Sequence, residues 1–194
     1  MQKGLEEHIQ RYLKISEQDL RAVLDFFEPL PVKKKQNLFL EGKVCQHMYF
    51  VTKGCLRMFF INEKGVEQTT QFALENWWLA DYFSFEKQTP SGFCVQAVEK
   101  SEVLAISFNN LEKLLQQFPA MEKYFRCMHQ RANAASQVRI KNLYSLSREE
   151  LYLNFSSMFP EFIQRIPQYL LASYLGFTPE YLSELRRKQF LKPV

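Results

Sequence analysis

The chain contains few of the residues that build metal or redox centres. Its cysteines, Cys45, Cys55, Cys94 and Cys127, form no C-x-x-C pair, and its three histidines are scattered singly. Such spacing indicates neither a zinc site nor an iron–sulfur cluster. We therefore expect no metal and no cofactor, and we expect the cysteines to be buried thiols in a reducing compartment.

Long apolar runs are also missing. The sequence has no run of about twenty apolar residues, and its first residues are polar and mixed in charge, unlike a secretory signal. We therefore expect no membrane partner and a cytoplasmic location. Hydrophobic residues still make up 46% and aromatic residues 15% of the 194 positions, which is enough for one large core or two small ones.

The motifs of common enzymes are absent as well. The sequence has no nucleophile elbow and no phosphate-binding glycine loop. A metal-dependent enzyme on a β-barrel requires two nearby histidines and a carboxylate, and the sequence does not provide them. We therefore predict that the protein is not an enzyme.

The clearest pattern lies in residues 168–188, QYLLASYLGFTPEYLSELRRK. A first apolar helical face ends at Leu175, and Gly176 suits the left-handed backbone conformation that ends a helix. Thr178 is a good N-cap, and Pro179 fits the first position of a second helix. This spacing predicts a helix-turn-helix, a unit that most often reads double-stranded DNA through its second helix.

The polar residues of this unit are candidate DNA contacts. Glu180 suits a cytosine amino group, whereas the arginines and the lysine suit phosphates. From residue 123 to 148 all charged residues are basic, which is typical of an end that faces phosphate. The candidate contacts are Gln168, Thr178, Glu180, Tyr181, Ser183, Glu184, Arg186, Arg187 and Lys188.

The first half of the chain favours β-structure after a short helix. Apolar residues at helical spacing run from Leu20 to Phe27 behind a cap at Ser16, and we expect Pro29 and Pro31 to end this helix. Short apolar or alternating runs then follow, separated by turn residues, and predict an antiparallel barrel or sandwich. The predicted strands are 38–40, 48–51, 56–61, 68–72, 93–98 and 103–106.

From residue 107 onward the period is helical. Ser107 can cap a helix over 107–118, and Pro119 can begin a longer one to about residue 143. Either the narrow apolar stripe of this long helix pairs with its twin across a two-fold axis, or it lies on its own barrel. The stripe consists of Met121, Phe125, Met128, Ala132 and Ala135.

The order of these elements resembles the Crp/Fnr family of bacterial transcription regulators, with the best match in LFLEGKVCQHMYFVTKGCLRMFFINEKGVEQ and in the helix-turn-helix. The resemblance implies an α+β fold: an antiparallel, cyclic-nucleotide-binding-like β-roll, a long dimerisation helix over about 119–143, and a helix-turn-helix domain that lacks a full wing. We predict a sensor domain over 1–143 and a DNA-binding domain over 144–194, whose first helix begins at the capping box of Ser147.

The resemblance also implies an effector pocket. Family members that bind cyclic AMP hold the ribose with a carboxylate, which falls on Asp81, and neutralise the phosphate with an arginine, which falls on Ser91 here. Ala80 replaces a glycine, and Tyr82 and Gly92 complete the predicted pocket. Burying a phosphate without a paired cation is costly, so we expect weak or absent binding of cyclic AMP. The redox members use N-terminal cysteines, and none precedes Cys45.

The sequence therefore predicts a homodimeric, DNA-binding transcription regulator whose β-roll senses a small-molecule effector of unspecified identity. The alternative is a small-molecule-binding or protein-interaction module whose degenerate helix-turn-helix does not bind DNA. The acidic Glu184 on the second helix favours that alternative. The dependence of duplex binding on salt separates the two, because phosphate contacts weaken steeply as salt is added.

Overall fold

A computed structural model describes residues 2–190 of the chain. The chain divides into two compact units. The first comprises Met1–Phe60 and Thr70–Arg131, and the second comprises Ile61–Thr69 and Ala132–Val194. The domain boundary predicted at 143/144 lies inside the second unit and stays a prediction. Residues 191–194 of the predicted DNA-binding domain lie outside the described residues.

Two four-stranded sheets form the β-roll, with strand orders β1-β8-β3-β6 and β2-β7-β4-β5. Strands β1, β3 and β6 join their sheet through antiparallel pairings, as do β2, β4 and β7 in theirs. This architecture confirms the predicted antiparallel roll. The strands are β1 Glu28–Val32, β2 Asn37–Phe39, β3 His47–Lys53, β4 Leu56–Ile61, β5 Glu67–Ala73, β6 Trp78–Leu79, β7 Cys94–Ala97 and β8 Ser101–Ser107.

Helices precede, interrupt and follow the strands of the first unit along the chain. Serines cap two of them as predicted: Ser16 accepts the N–H of Asp19 before α2, and Ser107 accepts the N–H of Asn110 before α4. Their apolar faces join strand residues such as Phe50 and Leu104 in one core. The helices are α1 Gln2–Gln10, α2 Glu17–Leu24, α3 Tyr82–Lys87, α4 Phe108–Gln117 and the first part of α5 Ala120–Ser145.

The prediction that Pro29 and Pro31 end the helix is wrong, because α2 already ends at Leu24 and both prolines lie within strand β1. They pair with Leu104 and Glu102 of β8. Strand β1 stands at the end of its sheet, and an edge strand tolerates proline because the missing N–H can face away from the neighbouring strand. Neither strand β1 nor helices α1 and α3 were predicted from the sequence.

As far as residue 190, the second unit contains the end of α5, a hairpin tip and four shorter helices. Ser147 forms the predicted capping box with Glu150 at the start of α6. Phe155, Phe159 and Phe162 pack together with ring centroids 5.3 to 5.7 Å apart. The hairpin tip, residues Ile61–Thr69, comprises the turn between β4 and β5 together with the last residue of β4 and the first three of β5. The helices are α6 Arg148–Met158, α7 Pro160–Arg165, α8 Gln168–Leu175 and α9 Pro179–Phe190.

The apolar stripe of α5 divides into a buried and an exposed half. Met121 and Phe125 are buried in the core of the first unit, and Met128 packs against that core. Ala132 is half-buried and Ala135 is exposed. The first half of the stripe therefore lies on its own barrel, and in this conformation Met121 and Phe125 are unavailable to a second copy of the chain.

Candidate nucleic-acid interface and effector pocket

The turn between α8 and α9 has the geometry that the sequence predicts. Gly176 ends α8 with φ of 75°, a left-handed conformation that glycine adopts without strain. The N–H of Phe177 then donates to the carbonyl of Ala172 at 2.8 Å. Thr178 caps the next helix, because its hydroxyl accepts the N–H of Tyr181 at 3.3 Å. The chain therefore enters α9 at a fixed point, with Pro179 as its first residue.

Small and branched apolar residues hold the two helices together. Ala172 is fully buried, and its small side chain permits a close approach of the helices. Leu171 and Leu175 of α8 are buried, as are Leu182 and Leu185 of α9. One face of each helix is thus used for packing, and the other side of α9 is left to solvent.

The solvent side of α9 is a single helical stripe. Its members occupy positions i, i+3, i+4, i+7 and i+8 of the helix, so they lie on one face. Gln168 and Thr178 are exposed as well, near the starts of α8 and α9. The exposed members of the stripe are Glu180, Ser183, Glu184, Arg187 and Lys188.

Two predicted DNA contacts are only half-exposed. Arg186 is half-buried, and the ring of Tyr181 packs edge-on against Phe177 with centroids 5.5 Å apart. The guanidinium of Arg148 lies over the same tyrosine ring at 5.5 Å. Tyr181 therefore has a packing role within the unit, which the sequence did not reveal.

An ion pair moderates the charge of the stripe. The ammonium of Lys188 lies 2.8 Å from the Glu184 carboxylate, one helical turn away. This contact lowers the pKa of Glu184 and raises the pKa of Lys188, so both groups keep their charges. Arg187 is exposed beside this pair, so its guanidinium faces solvent on the same side of α9.

The predicted effector residues Asp81 and Ser91 meet in the first unit. The Ser91 hydroxyl donates to one Asp81 carboxylate oxygen at 2.6 Å, and the Ser84 N–H donates to the other at 3.2 Å. Asp81 thereby caps α3, and both Asp81 and Ser91 are buried. The carboxylate that the resemblance assigns to a ribose is thus engaged within the chain.

The remaining pocket residues differ in exposure. Ala80 is buried, Gly92 is exposed, and Tyr82 is half-buried with its ring 4.7 Å from that of His129. Within residues 2–190, no group of three or more histidine, cysteine or acidic side chains could hold a metal ion. The same residues include no helix long and apolar enough to cross a membrane.

Three of the four cysteines are buried, and Cys127 is half-buried. Burial raises the pKa of the Cys45 thiol to about 11, so this thiol stays protonated and unreactive at neutral pH. The backbone N–H of Cys45 donates to the Ser84 hydroxyl at 2.9 Å, a contact that no sequence pattern indicated.

A buried polar network joins three distant parts of the first unit. The Tyr124 hydroxyl of α5 accepts the indole N–H of Trp78 at 2.9 Å and lies 2.8 Å from Nδ1 of His8 in α1. Burial, together with the charges of Arg11 and Arg131, lowers the pKa of His8 to about 4. His8 is therefore neutral at pH 7, and its Nδ1 atom can accept a hydrogen bond from the Tyr124 hydroxyl. This network was missed because sequence patterns do not pair residues so far apart.

A β-roll followed by a long helix and a helix-turn-helix defines the class of regulators built on a cyclic-nucleotide-binding-type domain. Residues 29–118 match the cyclic nucleotide-binding domain family. The solved structure of FixK2 from Bradyrhizobium japonicum is similar to this chain, with a TM-score of 0.70 at 16% identity, over 84% of each chain. At this identity the likeness shows the fold.

Curated relatives extend the match beyond the β-roll. The anaerobic regulatory protein of Pasteurella multocida (strain Pm70) is 28% identical over 186 residues, which cover 88% of this chain and 66% of that protein. The fumarate and nitrate reduction regulatory protein of Vibrio cholerae (strain N16961) is 29% identical over 171 residues, 80% of this chain and 66% of its own length. The chain thus spans just under two thirds of either regulator. Together these similarities support a regulator of the Crp/Fnr type.

Proposed function

We propose that this protein is a DNA-binding transcription regulator that acts as a homodimer. The observation that carries the proposal is the stripe on α9, because a capped and packed turn presents five polar side chains on one solvent face. A major groove accepts one α-helix presented in this way. The relatives named above are regulatory proteins, which supports the same reading.

Within this proposal the residues of the stripe have different tasks. Arg187 contacts phosphate, with Arg186 and Lys188 beside it, whereas Glu180 and Ser183 meet base edges. Gln168, Thr178, Tyr181 and Glu184 complete the interface. A phosphate contact adds affinity for any duplex, and a base contact changes which sequence is preferred.

The experiment measures binding to a set of duplexes of different sequence by fluorescence anisotropy. Arg187→Ala should weaken every duplex by a similar factor, about threefold to tenfold. Glu180→Ala should change the order of preference among the duplexes. Arg21→Ala is the matched control, because this exposed arginine of α2 carries the same charge and lies outside the proposed interface.

If wild-type protein binds no duplex, the alternative of an interaction module with a degenerate helix-turn-helix takes its place. If Arg187→Ala and Glu180→Ala behave alike, the division of roles along α9 is wrong. If Arg21→Ala weakens binding as much as Arg187→Ala, the effect is one of net charge and the interface lies elsewhere.

The second half of α5 supports the dimer. Ile140, Leu143 and Tyr144 follow one another at helical spacing and are 54%, 44% and 90% exposed. Exposed apolar stripes of this kind are typical of helices that pair with a second copy. Ala132 lies on this face, three turns before Leu143, and its small side chain allows a close approach of two helices. Ala135, the last residue of the predicted stripe, lies to one side of this face.

Sedimentation velocity tests the pairing. Ile140→Glu should shift the protein from dimer to monomer, because it places a charge in the proposed seam. Val138→Glu is the matched control: Val138 is 51% exposed, almost as much as Ile140, but lies on the opposite side of the same helix. Dissociation caused by Val138→Glu alone would show that the seam has been assigned to the wrong face.

We expect the effector, if it is a small molecule, to be something other than a cyclic nucleotide. The Asp81–Ser91 hydrogen bond occupies the carboxylate that would take the ribose, and Ser91 stands where the resemblance places the arginine. To bind Asp81 through its ribose, a nucleotide would therefore have to displace this hydrogen bond. Its phosphate would also be buried without the arginine that neutralises it in other members.

A further inference from the structure

The side chain of Ser173, in α8, bridges two backbone groups of strand β5. Its hydroxyl donates to the carbonyl of Glu67 at 2.8 Å and accepts the N–H of Thr69 at 2.9 Å. All three residues belong to the second unit. The contact therefore joins the first helix of the helix-turn-helix to the hairpin tip of the same unit.

The backbone groups that Ser173 engages are those that an edge strand exposes. Strand β5 stands last in the order β2-β7-β4-β5. Alternate residues of a strand direct their N–H and C=O groups to the same side, so Glu67 and Thr69 present one donor and one acceptor to a single hydroxyl. Ser173 thus takes the place that a neighbouring strand would have, and it covers part of an open sheet edge.

The hairpin tip is a defined element rather than a loose loop. The Asn62 side chain accepts the N–H groups of Lys64 and Val66, each at 3.0 Å. Thr69, at the base of the tip, is buried, whereas the turn itself is exposed. Burial is thus found at the end of the tip that Ser173 contacts. A contact to such a preformed turn costs little ordering entropy on the hairpin side.

A second contact holds the neighbouring residue of α8. Arg139 of α5 donates to the carbonyl of Tyr174 at 2.8 Å, and its guanidinium lies 4.1 Å from the centre of the tyrosine ring. This carbonyl lies at the C-terminal end of α8, where helix carbonyls need an outside donor. Ser173 and Tyr174 are therefore fixed by two different elements, the hairpin tip and α5.

We propose that Ser173 is a latch that holds α8 against the hairpin tip and thereby preorganises the α8–α9 pair for duplex binding. The inference rests on the proposed function for its DNA-binding consequence. Leu182 and Leu185 of α9 are buried together with apolar residues of α8. Holding α8 in place therefore also sets the direction of α9. Preorganisation raises affinity because less ordering remains to be done on binding. The strands that lead into the tip give the β-roll a covalent connection to this latch, in addition to α5.

Hydrogen exchange of the full chain tests the latch without DNA. In Ser173→Ala the Thr69 amide loses its acceptor, so its exchange should quicken about tenfold, while the Val66 amide, which is held by Asn62, should exchange as before. Ser173→Thr keeps the hydroxyl and should restore slow exchange. Ser156→Ala is the matched control, because Ser156 is a half-buried serine of the same unit whose hydroxyl donates to Tyr152 of its own helix.

Duplex binding by the same variants tests the functional consequence. Ser173→Ala should weaken affinity about fivefold, the factor that corresponds to one ordinary hydrogen bond, and Ser156→Ala should not. Unchanged exchange of Thr69 in Ser173→Ala would overturn the latch. Faster exchange with wild-type affinity would overturn its role in preorganisation. If the wild-type protein binds no duplex, the proposed function fails, and the Thr69 exchange rate alone still decides whether the latch exists.

Discussion

Replacing Tyr124 by phenylalanine removes a single oxygen atom from the core of the first unit. Tyr124 is fully buried, so the ring should stay in place and no cavity larger than the hydroxyl should form. The lost oxygen is the partner of two groups, the indole N–H of Trp78 and the Nδ1 atom of His8. Both groups would be left buried without a hydrogen bond.

The expected loss follows from these two orphaned groups. Leaving a buried donor or acceptor unpaired costs about 1 to 3 kcal/mol, so the two groups together should lower the free energy of unfolding of the first unit by about 2 to 6 kcal/mol in Tyr124→Phe. The matched control is Tyr169→Phe, since this tyrosine is 51% exposed and lies outside both the core of the first unit and the proposed pairing face of α5. The control should stay within about 0.5 kcal/mol of wild type.

Urea unfolding followed by tryptophan fluorescence is the appropriate assay. Trp77 and Trp78 are the only tryptophans of the chain, and both belong to the first unit, so the signal reports that unit. A loss below about 1 kcal/mol, or an equal loss in the two variants, would refute the reasoning that the Tyr124 hydroxyl satisfies both of its neighbours.

Three further results are expected. Folded His8 stays neutral down to about pH 4, whereas the unfolded side chain takes up a proton near pH 6.5. The free energy of unfolding should therefore decrease as the pH is lowered from 6.5 to 4. If the difference in unfolding free energy between wild type and His8→Asn does not change over this range, this expectation is wrong. Gly54→Ala should lower the free energy of unfolding by at least about 3 kcal/mol, because at φ of 100° a Cβ would lie 2.7 Å from the Ser101 Cα atom. Gly65→Ala should lower it by only about 1 kcal/mol, because Gly65 has φ of 74° but open space around it. Equal losses in urea unfolding would count against the steric argument. Calorimetric titration with cyclic AMP should give no saturable binding because Ser91 engages Asp81, and saturable heat would overturn that account of the pocket.

Local signals in the sequence were sufficient for much of the fold. The caps at Ser16, Ser107 and Ser147 and the left-handed Gly176 depend on residues within a few positions of each other, and all are present in the structure. The helix-turn-helix was predictable for the same reason. Its exposed stripe follows from helical spacing once the packing face of Leu182 is known.

Features that depend on distant residues were not predictable in this way. The strand that contains Pro29 forms because its backbone pairs with β8, and no local sequence pattern reveals that pairing. The His8–Tyr124 contact spans 116 positions, and the Ser173–Thr69 contact spans 104. The meeting of Asp81 and Ser91 was foreseen only through the family resemblance, since their spacing alone favours no contact.

The stripe of α5 lies between these cases. Its helical spacing correctly indicated an apolar face, but the spacing could not tell whether the face packs on the same chain or on a second copy. The structure assigns Met121 and Phe125 to the first unit's own core. The part of α5 left for pairing therefore begins later than the sequence stripe suggests, near Ala132.

The central claim is that the exposed stripe of α9 meets the phosphates of duplex DNA, and the salt dependence of binding tests it most directly. Affinity for a duplex should fall linearly on a double-logarithmic plot against salt concentration, with a slope of about −0.9 for each phosphate neutralised. In Arg187→Ala the slope should become shallower by about one such contact per chain, while Arg21→Ala should keep the wild-type slope. A wild-type affinity that does not change with salt, or no binding at all, would contradict the account.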